Sequence, residues 1–339
     1  MPISNIVCIT PEIDDNPDSF GCSIAINNKY LAIGDCLANR VVIYTHRGSN
    51  QWERSRVLLP PPNSIPEQFN HGFGDSLELD GDFLIISASI QTHSELAKNL
   101  EGFLQRGSNI YYFDERYLIN LDKATEITPI GLPVEKNGRL VTFNLLSQGK
   151  VRRVTLPNNG EIGFGTSFAY HDNLLLVGSP SYTDESGAWL YDIDQLDREP
   201  EKLAIPNIYL GKTLAINEQF AVVSDPNYQQ HTYIELKRDI DNLPKSTLIK
   251  AIKTDSMTTL HRTGALSLSG DILAIMYPFS NYFVERGFLE LYRLSENIGY
   301  KLISTRGQIS KGFVQNGFLI TAFNNYELAR QEINVQKIV

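Results

Sequence analysis

The sequence predicts an all-β chain folded as a single β-propeller domain over residues 1–339. Three observations lead there. A hairpin entered through a glycine recurs six times along the chain. A loop of variable length and a short aromatic segment follow it, and a further apolar segment closes the unit. The repeat period is about 40–50 residues, and four antiparallel strands at that period are the pattern of a propeller blade.

The clearest hairpin is Phe164-Gly165-Thr166-Ser167-Phe168-Ala169-Tyr170-His171-Asp172-Asn173-Leu174-Leu175-Leu176-Val177-Gly178-Ser179-Pro180. Apolar and small residues alternate before Asp172-Asn173, two residues suited to a tight turn, and an unbroken apolar run follows. In the same way Phe20-Gly21-Cys22-Ser23 leads through Asn27-Asn28 to Leu31-Ala32-Ile33-Gly34-Asp35, and Phe73-Gly74-Asp75-Ser76 leads through Asp80-Gly81-Asp82 to Phe83-Leu84-Ile85-Ile86-Ser87. Leu210-Gly211-Lys212-Thr213 precedes Phe220-Ala221-Val222-Val223-Ser224-Asp225-Pro226. Thr263-Gly264-Ala265-Leu266 leads through Gly270-Asp271 to Leu273-Ala274-Ile275-Met276-Tyr277-Pro278. A worn copy, Lys311-Gly312-Phe313, precedes Phe318-Leu319-Ile320-Thr321.

Third strands are predicted at Val41–Tyr44, Trp189–Tyr191, Thr232–Ile234 and Leu289–Tyr292, and fourth strands at Val57–Leu59, Val151–Val154, Lys202–Ala204 and Lys301–Ile303. Asn5–Thr10 reads as a closing strand without a blade of its own. It is predicted to complete the last blade, beside Ile333–Ile338 as that blade's third strand, because closure by packing alone leaves an exposed edge.

These motifs resemble the FG-GAP repeat family, the blades of the integrin alpha-chain propeller, in a divergent form similar to its bacterial relatives. The family's Phe-Gly stands at Phe20-Gly21, Phe73-Gly74 and Phe164-Gly165. Its closing Gly-Ala-Pro is matched by Gly178-Ser179-Pro180 and, less fully, by Ser224-Asp225-Pro226 and Met276-Tyr277-Pro278. The resemblance spans nearly the whole chain and speaks to fold rather than to function.

Blade one is predicted from Phe20 to Leu59, where Leu59-Pro60-Pro61-Pro62 stops the strand. Blade two begins at Phe73. Its insertion over 89–108 is predicted to be helical, since Leu96, Leu100, Phe103 and Leu104 share one helical face and Thr92 with Glu95 forms a capping box. Gly74 and Gly165 are 91 positions apart, whereas the other motif glycines are 46 to 53 apart, so a degenerate extra blade is expected between them. Its candidate strands are Asn109–Phe113, Arg116–Leu121, Thr125–Ile130, Leu140–Leu145 and Lys150–Thr155, with Gly131-Leu132-Pro133 as a worn closing motif. Seven blades are favoured, with six as the alternative. Further blades start near Phe164, Leu210, Thr263 and Lys311.

Composition narrows the class. With 42% hydrophobic residues the chain can bury a core. A net charge of -9 with dispersed acids disfavours a nucleic-acid or anionic-membrane partner. No apolar run reaches the about 18 residues of a membrane helix, and Met1–Asp15 does not read as a secretory signal, so a cytoplasmic setting is expected. Cys8, Cys22 and Cys36 are odd in number and lack CxxC spacing, which indicates neither a disulfide framework nor a zinc site.

In the family, the loop entering the first strand and the loop from second to third strand lie on one face. The resemblance then implies an upper face holding Asp35–Asn39, His71, the 89–108 insertion, Tyr182–Glu185, Asp225–His231, His261 and Tyr277–Arg286. Asp35 and Asp225 end equivalent second strands. Across a channel they would bind a cation or polarise a substrate; at loop entrances they would cap amides. His71, His93, His231 and His261 have chemistry suited to proton transfer or metal ligation, but no local ligand spacing joins them. Tyr182, Tyr228, Tyr277, Phe279, Tyr282 and Phe283, with Arg106 and Arg286 for an anionic group, suit a sugar or peptide partner or inter-blade packing. Integrin-type calcium loops are absent, because Asp80-Gly81-Asp82 is a hairpin turn too short to supply six oxygens. No cofactor is predicted.

No GxSxG, HExxH or GxxxxGK[ST] motif is present. The leading expectation is a binding or scaffold module that engages a protein or glycan through its upper-face loops. The alternative is a channel-mouth enzyme using Asp35, Asp225, His231 and His261 from separate blades in acid-base or metal-assisted roles.

Overall fold

In the computed structural model, the central hairpin forms as its residues dictate. Ser167–His171 pairs antiparallel with Leu174–Ser179, and His171 lies opposite Leu174 across a two-residue turn. Asp172 takes φ 49° there, a left-handed conformation that Asp and Asn tolerate better than most residues. The structure describes residues 7–17, 19–48, 51–61, 72–93, 104–105, 110–123, 127–130, 134–137, 140–147, 150–157, 163–165, 167–180, 187–203, 211, 213–225, 230–238, 244–253, 265–277, 288–294, 298–302, 308–325 and 330–337.

Among these residues the chain is all strand apart from turns and one short 3-10 segment. β1 is Val7–Ile9. The first sheet holds β2 (Phe20–Ile26), β3 (Tyr30–Asp35), β4 (Arg40–His46) and β5 (Trp52–Leu58) in sequence order. The second holds β6 (Phe73–Asp80), β7 (Phe83–His93), β8 (Leu104–Gln105), β9 (Ile110–Asn120) and β10 (Thr128–Pro129), in the order β6-β7-β9-β10 with β8 beside β9. The third holds β11 (Val134–Asn137), β12 (Leu140–Ser147) and β13 (Lys150–Pro157). The fourth runs β14 (Ser167–His171), β15 (Leu174–Ser179), β16 (Gly187–Asp192), β17 (Glu201–Leu203). The fifth runs β18 (Thr213–Ile216), β19 (Phe220–Asp225), β20 (Gln230–Arg238), β21 (Pro244–Lys253). The sixth runs β22 (Ala265–Ser269), β23 (Ile272–Tyr277), β24 (Phe288–Arg293), β25 (Ile298–Leu302). The seventh runs β26 (Gln308–Gln315), β27 (Phe318–Asn325), β28 (Arg330–Lys337), then β1.

Five of these seven sheets therefore have the four-stranded meander expected of a blade, and the second and third depart from it with five and three strands. The N-terminal strand sits where the sequence predicts: Val7, Cys8 and Ile9 lie opposite Val335, Asn334 and Ile333 of β28. Ile9, Ile333 and Val335 are buried, so this closing pair is held by apolar packing as well as by its ladder.

The chain divides into two units, one of Met1–Glu135, Phe143–Arg153 and Asn324–Val339, the other of Lys136–Thr142 and Val154–Phe323. Within each, the unbroken apolar runs have a plain cause. All six residues of β3 and all six of β15 are buried, because a second strand is covered on both faces. In the second unit, Ala221 and Val223 of β19 pack into a core with Leu174, Leu176 and Leu190, while Phe220 and Val222 face Leu273 and Ile275. Alternate side chains of one strand thus serve two cores. In the first unit Ala32, Val41 and Ile43 pack against Phe73, Leu84 and Ile86. The phenylalanines of the repeated Phe-Gly are anchors: Phe20, Phe73 and Phe164 are all buried.

The irregular region differs from expectation. Asn109–Phe113 and Arg116–Leu121 are not two strands but parts of one eleven-residue strand, β9, paired along β7. Val134–Asn137 adds a strand to those expected from the sequence. Within the stretch 89–108 predicted to be helical, residues 89–93 and 104–105 are strand: β7 continues through Thr92 and His93, opposite Tyr111 and Ile110, and Leu104–Gln105 pairs with β9. Thr92 belongs to β7, while Leu96, Leu100 and Phe103 lie outside the described residues, as does Gly131-Leu132-Pro133.

Candidate functional site

The connection from β3 to β4 shows how the first sheet builds its loop end. β3 finishes at Asp35, Cys36–Ala38 makes a single 3-10 turn, and Asn39 reverses the chain in the left-handed region at φ 52°. The Asn39 side chain accepts a hydrogen bond from the N–H of Phe73 at 3.4 Å, which ties this loop to the start of β6. Leu37 stands 55% exposed on the turn.

Asp35 is fully buried, and its carboxylate is spent on structure. One oxygen accepts from the Asn16 N–H at 3.0 Å and from Nε of Arg40 at 2.9 Å, and the other accepts from the Ser19 hydroxyl. Arg40 also reaches Asp15 at 3.3 Å and Asp14 at 3.8 Å. Arg54 of β5 meets Asp14 and Asp15 at 3.1 Å each, and also Glu12. Two guanidiniums thus hold Glu12, Asp14 and Asp15 of the N-terminal connector to the first sheet. Burial pushes the Asp15 carboxyl above its usual range, although the Glu12 N–H and both arginines pull the other way. The Arg54 hydrogen bond holds Asp14 below it. Of the two roles the sequence left open for Asp35, the geometry delivers the capping one.

Asp225 ends β19 opposite Gln230, as Asp35 ends β3 opposite Arg40, so the two acids do occupy the same ladder position in their sheets. His231 lies opposite Ser224 on β20, and Tyr277 ends β23 opposite Phe288. His93 ends β7. His71, His261, Tyr182, Tyr228, Tyr282, Phe279, Phe283, Arg106 and Arg286 lie outside the described residues.

A different group is brought together at the loop end of the first two sheets. The sulfurs of Cys22 and Cys36 and a carboxylate oxygen of Asp75 all lie within 4.8 Å of one another, each side chain half-buried. The Cys36 N–H donates to the Cys22 sulfur at 3.2 Å, and the Cys22 thiol approaches the Gly74 carbonyl at 3.5 Å. No disulfide joins the two cysteines. Local motif reading does not find this cluster, because the ligand spacing is set by strand register. Phe20 lies opposite Asp35 in the β2–β3 hairpin, which places Cys22 and Cys36 at the same end. The signal was in the repeat: Cys22 and Asp75 hold the same place in Phe20-Gly21-Cys22-Ser23 and Phe73-Gly74-Asp75-Ser76.

No protein-family model and no curated protein matches the chain. Among solved structures it is similar to virginiamycin B lyase from Staphylococcus aureus, at 12% identity and a TM-score of 0.50, over 99% of this chain and 100% of that one. It is also similar to Hsv2 of Kluyveromyces lactis (11% identity, TM-score 0.52, 94% of this chain and 98% of that one) and Hsv2 of Kluyveromyces marxianus (8% identity, TM-score 0.51, 94% and 98%). These are propeller-type proteins, and at such identities the likeness shows the fold: an all-β chain with a β-propeller arrangement. Among the described residues no helix is long and apolar enough to cross a membrane.

Proposed function

We propose that the chain is an FG-GAP-like propeller of seven blades acting as a binding or scaffold module, with a protein or glycan partner held by the connections between second and third strands. The observation that supports this is an asymmetry shared by the sheets. At one end, first and second strands are joined by two residues, at Gly81-Asp82, Asp172-Asn173, Gly270-Asp271 and Asn316-Gly317, or by three, at 27–29 and 217–219. At the other end, the interval between second and third strands ranges from four residues (36–39) to sixteen (94–109). Short turns suit a rigid frame, and length variation on one end is where recognition is built on such frames. The net charge of -9 fits a partner other than nucleic acid. The reading of a channel-mouth enzyme loses one of its four residues, since the Asp35 carboxylate is committed to Arg40, Ser19 and Asn16. A reducing, cytoplasmic setting suits the unbridged Cys22 and Cys36.

The test compares three forms of the immobilised chain against cell extract and a glycan panel. They are the parent, a variant with residues 181–186 replaced by glycine and serine, and a turn variant carrying Asp172→Asn with Asn173→Gly. A partner that binds the parent is expected to bind the loop variant at least about tenfold more weakly and the turn variant unchanged. Equal binding to all three, or loss in the turn variant alone, contradicts the reading.

A further inference from the structure

We propose that Cys22, Cys36 and Asp75 form a site for a thiophilic divalent cation of the zinc class. Three elements supply the ligands: the irregular start of β2, the 3-10 turn after β3 and the start of β6. The starts of both β2 and β6 depart from regular pairing, between Phe20 and Ile24 and between Phe73 and Ser76. Such bulges re-aim side chains away from the alternating pattern of a strand. Here they aim two equivalent repeat positions at one point.

The distances suit an ion. Zinc holds thiolate sulfur at about 2.3 Å and carboxylate oxygen at about 2.0–2.2 Å, so its ligand atoms stand roughly 3.5–4 Å apart. All three ligand atoms already lie within 4.8 Å of one another, close to that spacing. The mixed donor set selects the metal class: two sulfurs disfavour calcium and magnesium, which take oxygen ligands, and suit zinc or its surrogate cobalt. The Cys36 N–H donating to the Cys22 sulfur at 3.2 Å is the backbone support a metal-bound thiolate needs.

On binding, each thiol releases its proton to solvent as the sulfur–metal bond forms, and the carboxylate adds the third bond. Three protein ligands leave a fourth position for water or an incoming ligand.

The test uses the full chain, reduced and stripped of metal, titrated with cobalt(II). The expected result is one cobalt per chain, with a thiolate-to-metal charge-transfer band in the near ultraviolet that zinc displaces. Cys22→Ser and Cys36→Ser are expected to lose the band, Cys8→Ser to keep it, and Asp75→Asn to keep it with weaker affinity. Circular dichroism and thermal melts check that each variant folds, and Asp75→Asn keeps the test decisive if a cysteine variant does not. No saturable band in the reduced parent overturns the proposal, as does a band that persists in Cys22→Ser or affinity unchanged by Asp75→Asn. Formation of a Cys22–Cys36 disulfide by a chain whose reduced form takes no metal also overturns it, and assigns the pair to redox chemistry instead.

Discussion

The side-chain amide of Asn217 donates to the backbone carbonyl of Gly270 at 2.7 Å, joining the β18–β19 turn to the β22–β23 turn of the next sheet. The other end of the same side chain accepts from the N–H groups of Gln219 and Phe220, at 2.9 and 2.8 Å. Asn27 repeats the arrangement, donating to Gly81 at 2.6 Å and accepting from Lys29 and Tyr30. One asparagine closes its own turn and pins the neighbouring one. Asn217 is buried, so Asn217→Ala leaves a carbonyl and two amides without their partner and is predicted to cost about 1–3 kcal/mol in urea unfolding. The Asn27 bond to Gly81 is exposed, and Asn27→Ala is predicted to cost less, about 1 kcal/mol or below.

At the loop end the pin is a serine. The Ser23 hydroxyl donates to the Gly74 carbonyl, and the Ser167 hydroxyl to the Gly211 carbonyl. Backbones approach so closely there that a Cβ on Gly178 would overlap the Gly211 carbonyl oxygen. Gly178→Ala is therefore predicted to destabilise by about 1–3 kcal/mol or more through forced separation of the sheets. Gly187→Ala, whose nearest neighbour would be 3.5 Å away, is predicted to be tolerated, and paired denaturation curves distinguish the two.

The Arg40–Asp35 pair gives a third prediction. Removing the guanidinium in Arg40→Met strands a fully buried carboxylate, a loss of about 3–5 kcal/mol by the usual cost of breaking such a pair. It also removes one of the two guanidiniums that hold Asp14 and Asp15, so faster cleavage near them by a nonspecific protease is the expected readout.

Asp15 and Asp14 carry a pH signature of opposite sign. With its pKa raised above 3.8 by burial, Asp15 holds its proton longer in the folded chain, so its contribution favours folding at low pH and is lost as pH rises through the folded value. Asp14, lowered by Arg54, contributes above 3.8 and loses that contribution as pH falls. The stability of Asp15→Asn relative to the parent is predicted to rise as pH increases above 3.8, measured by urea unfolding across a pH series. A difference that falls over the same range contradicts the assignment.

The legible parts of this fold are those written in local chemistry. Two-residue turns such as Asp172-Asn173 and Gly270-Asp271, and apolar runs such as Leu174–Val177, mark their strands unaided. The β1–β28 pairing was also legible, because a lone closing strand needs a partner. The role of Asp35 was not, since Asn16 and Ser19 lie 19 and 16 residues away and only the fold brings them to it. The start of the 89–108 insertion was not legible either, because β7 extends to Thr92 and His93 by pairing with β9, a partner on the far side of the insertion. The thiol cluster escaped because Cys22, Cys36 and Asp75 meet through strand register rather than through a contiguous motif.

The most direct test of the architecture on which these readings rest is a cross-link between the chain's two ends. Cys8 lies opposite Asn334 in the β1–β28 ladder. In a Cys22→Ser, Cys36→Ser background, Asn334→Cys is predicted to form an intramolecular disulfide with Cys8 on mild oxidation, joining the N- and C-terminal peptides in a digest and raising the unfolding midpoint. A chain that stays reduced, or that cross-links only between molecules, would contradict closure of the last sheet by the N-terminal strand.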